Sequence, residues 1–167
     1  TDERVNKTTP ALFLKCPTLQ DYIDIEINEL ENLIHPCGFY KNKAKNIKLC
    51  AKQVLENFNG LVPKTMEELL TLAGVGRKSA NVILLEVYGI ANGIAVDTHA
   101  KRISNKMGLS LQKEPEKIEQ DLIKLFPKKY LKDINHLFVW HGRNTCSARN
   151  PKCEICCVKD LCNFYNK

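Results

Sequence analysis

Hydrophobic positions along this chain recur mainly at the spacing of an α-helix. The clearest apolar stripe covers residues 47–58 and ends at Asn59-Gly60, a pair typical of a helix C-terminus. Thr65 lies three residues before Glu68, which predicts a capping box at the start of another helix. Pro115 is expected as the first residue of a later helix. Further stripes predict helices within residues 80–87, 118–126 and 134–141.

Alternation typical of a strand is confined to residues 93–96, a segment too short to form a sheet. The sequence therefore predicts an all-α fold. The turn at Asn92-Gly93 marks the expected seam between two helical parts. The predicted domains are residues 1–91, with a helix-hairpin-helix at about 64–88, and residues 92–167, with a cysteine-rich tail.

Composition and charge restrict the class of protein. The 167 residues are 44% hydrophobic, which is typical of a globular chain and excludes a disordered one. No apolar stretch approaches the roughly 18 residues of a membrane helix. The formal net charge is +6, and lysines and arginines cluster within residues 41–48, 101–106 and 128–132. Such clusters favour an anionic partner such as nucleic acid, although solvated helix faces often look the same.

A glycine pair lies between two predicted helices, in the segment Gly74-Val75-Gly76. Glycines at this spacing suit a tight hairpin whose backbone another group can approach closely. The free amides of the following helix start would point at that group, which makes a phosphate site. An ordinary helix corner explains the glycines equally well, so both interpretations stay open.

Two residues are candidates for covalent and acid–base chemistry. Lys78 lies in the first turn after the hairpin, where the helix dipole disfavours a cation and favours the neutral, nucleophilic amine. Asp97 is expected as a helix-start residue, and its carboxylate would stabilise positive charge if it faced Lys78. His99 is a candidate either for a phosphate contact or for a polar interface. The alternative without catalysis is a solvated lysine at Lys78 and a simple helix cap at Asp97.

The eight cysteines are unevenly placed. Three are scattered through helical patterns and are expected to be small buried hydrophobes: Cys16, Cys37 and Cys50. Four in the tail have a C-x6-C-x2-C-x5-C spacing: Cys146, Cys153, Cys156 and Cys162. Four thiolates suit tetrahedral zinc or a four-iron cluster, and the spacing alone leaves the two nearly even. Cys157 is interpreted as a spare buried thiol beside the site.

Together these motifs resemble the endonuclease III family of helix-hairpin-helix DNA glycosylases. The resemblance includes the hairpin segment 72–81, the Val96-Asp97-Thr98-His99 segment, and His141-Gly142-Arg143 followed by the spaced cysteines. Residues 38–44 are similar to the loop that the family inserts into the duplex. The resemblance implies a six-helix-barrel lobe, an iron–sulfur cluster lobe, and a [4Fe-4S] cluster on the four spaced cysteines.

The resemblance also implies an activity and its residues. Lys78 is the implied amine nucleophile of a bifunctional DNA glycosylase and AP lyase, and Asp97 is its carboxylate partner. The implied reaction removes oxidised pyrimidines from duplex DNA and then cleaves the strand by β-elimination. The DNA-binding residues expected from the motifs and from their charge are Phe39, Lys43, Gly74, Val75, Gly76, His99, Arg149 and Lys152.

Several features depart from the family pattern. The chain starts at Thr1, where family members usually have a further N-terminal segment, so a fragment or an incomplete gene is expected. Phe39 stands at a wedge position where a leucine is common. Two alternative functions remain: a non-catalytic DNA-binding module and a monofunctional mismatch glycosylase, against which Lys78 argues. The expected partner is double-stranded DNA with damaged bases or abasic sites. We expect a monomer in the cytoplasm, nucleoid-associated if bacterial, without membrane contact.

Overall fold

The computed structural model describes residues 2–166, and all regular secondary structure in that range is helical, which confirms the all-α prediction. Three short 3-10 helices lie in the second half of the described chain: Lys128–Tyr130, Cys153–Ile155 and Lys159–Leu161. The α-helices are α1 (Asp2–Lys15), α2 (Leu19–Asp24), α3 (Ile27–Leu33), α4 (Tyr40–Phe58), α5 (Met66–Leu70), α6 (Arg77–Tyr88), α7 (Thr98–Met107), α8 (Pro115–Leu125) and α9 (Leu131–Asn144). Among the described residues, no helix is long and apolar enough to span a bilayer.

The first compact unit extends to Gly76 and contains α1 to α5. Its core is formed by small and branched apolar side chains on α1, α3 and α4, directly after α1 and α3, and in the α2–α3 turn: Leu12, Cys16, Ile25, Leu30, Ile34 and Ala44. Cys37 is also buried, as predicted, whereas Cys50 is half-buried. Helix α4 ends as predicted, because Asn59 and Gly60 both adopt left-handed backbone conformations.

Helix α5 begins at the predicted cap residue, but only the Thr65 half of the predicted capping box forms. The Thr65 hydroxyl oxygen accepts a hydrogen bond from the Glu68 amide at 3.2 Å and donates to the Glu68 carboxylate at 2.8 Å. These contacts satisfy one of the free amides of the first turn. The helix ends at Leu70, a few residues before the glycine hairpin.

The second compact unit starts at Arg77 and contains α6 to α9. Its core combines the extended segment before α7 with side chains of α7, α8 and α9: Ile94, Val96, Ala100, Ile103, Ile118, Leu122, Leu131, Ile134 and Phe138. Pro115 is the first residue of α8, as predicted. The segment 94–96 is buried, so it fixes the start of α7 against the core.

The two compact units meet at residues 76 and 77, whereas the sequence placed the boundary at residues 91 and 92. Helix α6 belongs to the second unit, because its Asn81 side chain donates to the Ile94 carbonyl and to Glu119. The predicted buried face of α6 was also wrong in part. Val87 is 63% exposed, whereas the polar Asn81 is buried. A buried amide that finds hydrogen-bond partners can take the place of an apolar side chain.

Candidate active site and cluster segment

The glycine hairpin is held in a tight turn. Val75 donates its amide to the Leu72 carbonyl at 3.1 Å, and Gly74 has a φ of +78°, a value that favours glycine. A Cβ added at Gly74 would lie 3.0 Å from the Asn46 Cβ of α4. Gly76 has open space beside its Cα and needs no special conformation. The chain itself therefore requires glycine at position 74, whereas Gly76 leaves its backbone accessible to an approaching group.

A glutamine of α4 anchors this hairpin. The Gln53 side chain accepts a hydrogen bond from the Ala73 amide at 2.7 Å and donates to the Thr71 carbonyl at 3.1 Å. Both bonds satisfy backbone groups that the turn leaves without helix partners. Neither Gln53 nor Asn46 is marked by any local pattern in the sequence, and neither was predicted.

Lys78 is the second residue of α6 and is exposed to solvent. Asp97 is the N-cap of α7, and its Oδ1 accepts the Ala100 amide at 2.8 Å. The expectation of a helix-start aspartate is thus confirmed. Within residues 2–166, no ion pair or hydrogen bond joins Lys78 to Asp97. The cap uses one of the two carboxylate oxygens.

A buried carboxylate that the sequence analysis missed lies between the elements that carry these two residues. Glu119 of α8 is 2% exposed. Its Oε2 accepts from Arg77 Nε at 2.5 Å, and its Oε1 accepts from the Asn81 amide group at 2.8 Å and from the Ile94 amide at 3.2 Å. A charged residue next to Ile118 gives no signal in the sequence that separates it from the solvated face of α8.

His99 lies in a polar contact between α7 and the end of α9. Its Nδ1 is 3.1 Å from Arg102 Nη2, which also donates to the Gly142 carbonyl at 3.1 Å and to the Cys146 carbonyl at 2.8 Å. Of the two roles considered for His99, the structure shows the polar interface, and the DNA contact stays a prediction. Arg102 was not identified from the sequence.

The predicted insertion loop presents an exposed aromatic ring. Phe39 is 86% exposed and has a φ of +59°, immediately before α4. A left-handed conformation at a bulky residue costs on the order of 1–3 kcal/mol and often marks a functional position. Lys43 is also exposed, one turn into α4, and its amide bonds the Phe39 carbonyl at 3.0 Å. The loop therefore offers an apolar ring next to a cation.

The spaced cysteines surround one cavity in the tail. Four half-buried thiols contribute to its lining: Cys146, Cys153, Cys156 and Cys162. Cys157 does not line the cavity, as expected of a spare thiol, but it is exposed and the expectation that it is buried was wrong. Burial raises the pKa of the Cys146 thiol, and the charges of Lys106 and Arg102 oppose that rise.

The donor set fits a large anionic group better than a single ion. Within the described range, no group of three His, Cys, Asp or Glu residues could hold one metal ion. A zinc site requires four donors at about 2.0–2.3 Å from one point. The four thiols line one cavity together with Lys106, and four thiolate ligands beside a cation suit an anionic iron–sulfur cluster.

The loop between the first two of these cysteines carries the predicted cations. Arg149 and Lys152 are exposed, and the Lys152 amide donates to the Thr145 carbonyl at 2.9 Å, which closes the loop at its base. Two cations on a closed loop can approach a polyanion without a large loss of conformational freedom.

Comparison with known proteins agrees with this geometry. Residues 1–128 match the HhH-GPD superfamily of base excision DNA repair proteins, which is the class that the helical fold and the hairpin define. Residues 146–162 match the iron–sulfur binding domain of endonuclease III. Endonuclease III of Synechocystis sp. is 48% identical over 97% of this chain and 74% of its own length. Endonuclease III of Escherichia coli K12 is 38% identical over 100% and 79%.

Solved structures give the same result. A trapped endonuclease III–DNA covalent intermediate superimposes with a TM-score of 0.94 at 38% identity, covering 99% of this chain and 78% of that one. A thermostable thymine-DNA glycosylase, with a TM-score of 0.84 and 24% identity over 99% and 78% of the two chains, shares the fold. The chain belongs to the endonuclease III family. Membership confirms the expected activity, a DNA glycosylase and AP lyase of base excision repair, and the expected [4Fe-4S] cluster.

Proposed function

We propose that this enzyme acts on duplex DNA that contains an oxidised pyrimidine or an abasic site, with Lys78 as nucleophile and Asp97 as its carboxylate partner. The exposed amine at the start of α6 carries the proposal, because only a primary amine can form the imine that strand cleavage requires. Solved complexes of endonuclease III with DNA, one covalent and one non-covalent, support DNA as the partner.

Base removal is the first step of the proposed reaction. The damaged nucleotide leaves the helical stack, because its C1′ atom is unreachable inside the duplex. The Lys78 amine attacks C1′ while the bond to the base breaks and the base departs with the electron pair. The Asp97 carboxylate stabilises the positive charge that builds up on the sugar. Its cap bond to Ala100 holds it in place for this role.

Strand cleavage follows from the same covalent adduct. The sugar ring opens, and the Lys78 nitrogen forms an imine with C1′. The imine withdraws electrons and acidifies the neighbouring C2′ proton, which a base removes. The electron pair then expels the 3′ phosphate by β-elimination, and water later releases the enzyme from the sugar fragment.

Other residues are proposed to bind DNA and the cluster. The amides of Gly74, Val75 and Gly76 hold a backbone phosphate, and the Phe39 ring fills space in the stack. Lys43, His99, Arg149 and Lys152 add contacts that do not depend on base sequence. The proposed cluster ligands are Cys146, Cys153, Cys156 and Cys162. When bound, the cluster supplies four iron–thiolate bonds that fix the fold of the tail.

Borohydride trapping on abasic duplex DNA tests the proposal. Reduction converts the imine into a stable amine and leaves the protein covalently attached to the strand. Lys78→Gln should abolish this adduct while binding to the same duplex persists, since the proposed phosphate contacts lie on other residues. Lys124→Gln on the exposed side of α8 removes the same charge and should trap like the parent protein. An adduct with Lys78→Gln would show that another amine is the nucleophile.

The non-catalytic DNA-binding module predicts no adduct with any variant, so the same experiment separates the two functions. A monofunctional mismatch glycosylase would release a base without trapping or strand cleavage. We further propose that the protein acts as a monomer on DNA in the cytoplasm, in the nucleoid if the source is bacterial. A sedimentation mass near twice the 19.0 kDa of the chain would contradict the monomer.

A further inference from the structure

Glu119 is a buried charged group whose role the proposed reaction leaves unassigned. A carboxylate that is 2% exposed is unstable in the protein interior unless strong donors satisfy it. Three donors do so here, from Arg77, Asn81 and Ile94. The Arg77 bond is charge-assisted, at 2.5 Å, and therefore the strongest of the three.

The three donors come from the two elements that carry the proposed reacting groups. Arg77 immediately precedes Lys78 at the start of α6, and Asn81 lies one turn further along the same helix. Ile94 lies three residues before Asp97, on the extended segment that leads into α7. Because no direct bond joins Lys78 and Asp97 in the described chain, Glu119 provides the bonded link between their elements.

Gly93 shows that this link is sterically tight. A Cβ added there would collide with the Asn81 side-chain oxygen and with Glu119 Oε1. No side chain would fit at position 93, so the backbone before α7 lies directly against side chains of α6 and α8. Such packing transmits a displacement of the carboxylate to both elements, since close-packed interiors yield little.

We propose that Glu119 is a positioning residue for this reaction. Its single carboxylate holds the start of α6 and the segment before Asp97 at a fixed separation. The proposal rests on the assignment of Lys78 and Asp97. Glu119 touches neither the sugar nor the base; it acts through Arg77 and Ile94. Its loss displaces the reacting groups and leaves the proposed DNA contacts intact. It therefore lowers the rate of the chemical step at saturating protein and leaves the affinity for DNA unchanged.

Single-turnover kinetics with duplex DNA containing thymine glycol tests this proposal. Glu119→Gln keeps the shape but removes the ion pair with Arg77. We expect the rate at saturating protein to fall by about 10- to 100-fold, the effect of misplacing a reacting group by about 1 Å. The Kd for a duplex with a tetrahydrofuran abasic analogue should stay within about threefold, because the displaced groups contribute to chemistry and not to clamping. A merely structural role would not separate rate from affinity.

Asp121→Asn is the matched control, because Asp121 lies on the same helix and accepts the Ser110 hydroxyl at 2.6 Å. Its rate and affinity should match the parent. Arg77→Met gives a second route if Glu119→Gln unfolds, and should also lower the saturated rate. Combining the two changes should add little to either alone, since both break one interaction.

Three outcomes would overturn the proposal: folded Glu119→Gln with the parent rate, a rate loss removed by raising protein concentration, or additive losses in the double variant. If Glu119→Gln does not fold, a parent rate for folded Arg77→Met would overturn it equally. These outcomes are distinct from failure of the proposed function, which trapping with Lys78→Gln reports independently. If Lys78→Gln forms no adduct and Glu119→Gln reacts at the parent rate, the positioning role is rejected and the proposed function stands.

Discussion

Asp97 is a helix cap in the structure and the proposed catalytic carboxylate, and substitution can separate these two roles. The cap is the 2.8 Å bond from the Ala100 amide to Oδ1. Asparagine and aspartate are about equally good N-caps, so Asp97→Asn should leave the free energy of unfolding nearly unchanged. Asp97→Ala removes the acceptor and should cost about 1 kcal/mol, which lowers Tm by about 2–4 °C in a chain of this size.

The effect on base excision should not follow stability. Asparagine keeps the cap but has no negative charge to stabilise the sugar as the base leaves. Removing one such electrostatic or acid–base group typically slows a reaction by about 10²- to 10⁴-fold. That range corresponds to about 3–5 kcal/mol of barrier, several times the value of the cap. Trapping on a preformed abasic site should slow less, because no base remains to be expelled.

Thermal unfolding and single-turnover excision of thymine glycol measure the two effects side by side. Asp133→Asn, an exposed aspartate in the first turn of α9, controls for the loss of one charge near a helix start. An Asp97→Asn protein that excises at the parent rate would refute the catalytic assignment. An Asp97→Asn protein that melts as low as Asp97→Ala would refute the capping argument instead.

The remaining predictions concern the tail. Cys153→Ser should lose iron and unfold the segment, whereas Cys157→Ser should keep both the iron content and the brown colour, since Cys157 does not line the cavity. Colourless parent protein with stoichiometric zinc would contradict the cluster. Lys152→Ala should weaken binding to all duplex sequences alike and reduce the slope of log Kd against log salt by about one. Affinity that does not change with salt would contradict the proposed phosphate contacts.

Local features of the fold were predictable because short-range physics decides them. A threonine three residues before a glutamate, a proline at a first helical position and an Asn-Gly pair each act within one turn of backbone. The starts of α5 and α8 and the end of α4 therefore appear where the sequence placed them. Asp97 belongs to the same class, since a cap needs only its own helix.

Buried polar contacts were not predictable, because they join residues far apart in the chain. Asn81 does not belong to the apolar stripe of α6, yet it is buried and bonds partners 13 and 38 residues away. Arg102 likewise bonds a carbonyl 44 residues away. Apolar periodicity predicts which face a helix buries only when that face is apolar. Where the hydrogen-bond partners of a buried amide or guanidinium are distant in the chain, no local sequence pattern predicts the burial.

The candidate site shows both what could be predicted from the sequence and what could not. Residue type and motif likeness were enough to nominate Lys78 and Asp97 as candidates, because only a few reactions suit an amine and a carboxylate placed at helix starts. Their relative placement was open, since the spacing of two residues in the chain does not fix their distance in space. The bonded route between them passes through Arg77, Glu119 and Ile94. The proposed chemistry can thus be assigned to individual residues from the sequence, whereas the link between their elements is a buried carboxylate on a third helix, which only the structure shows.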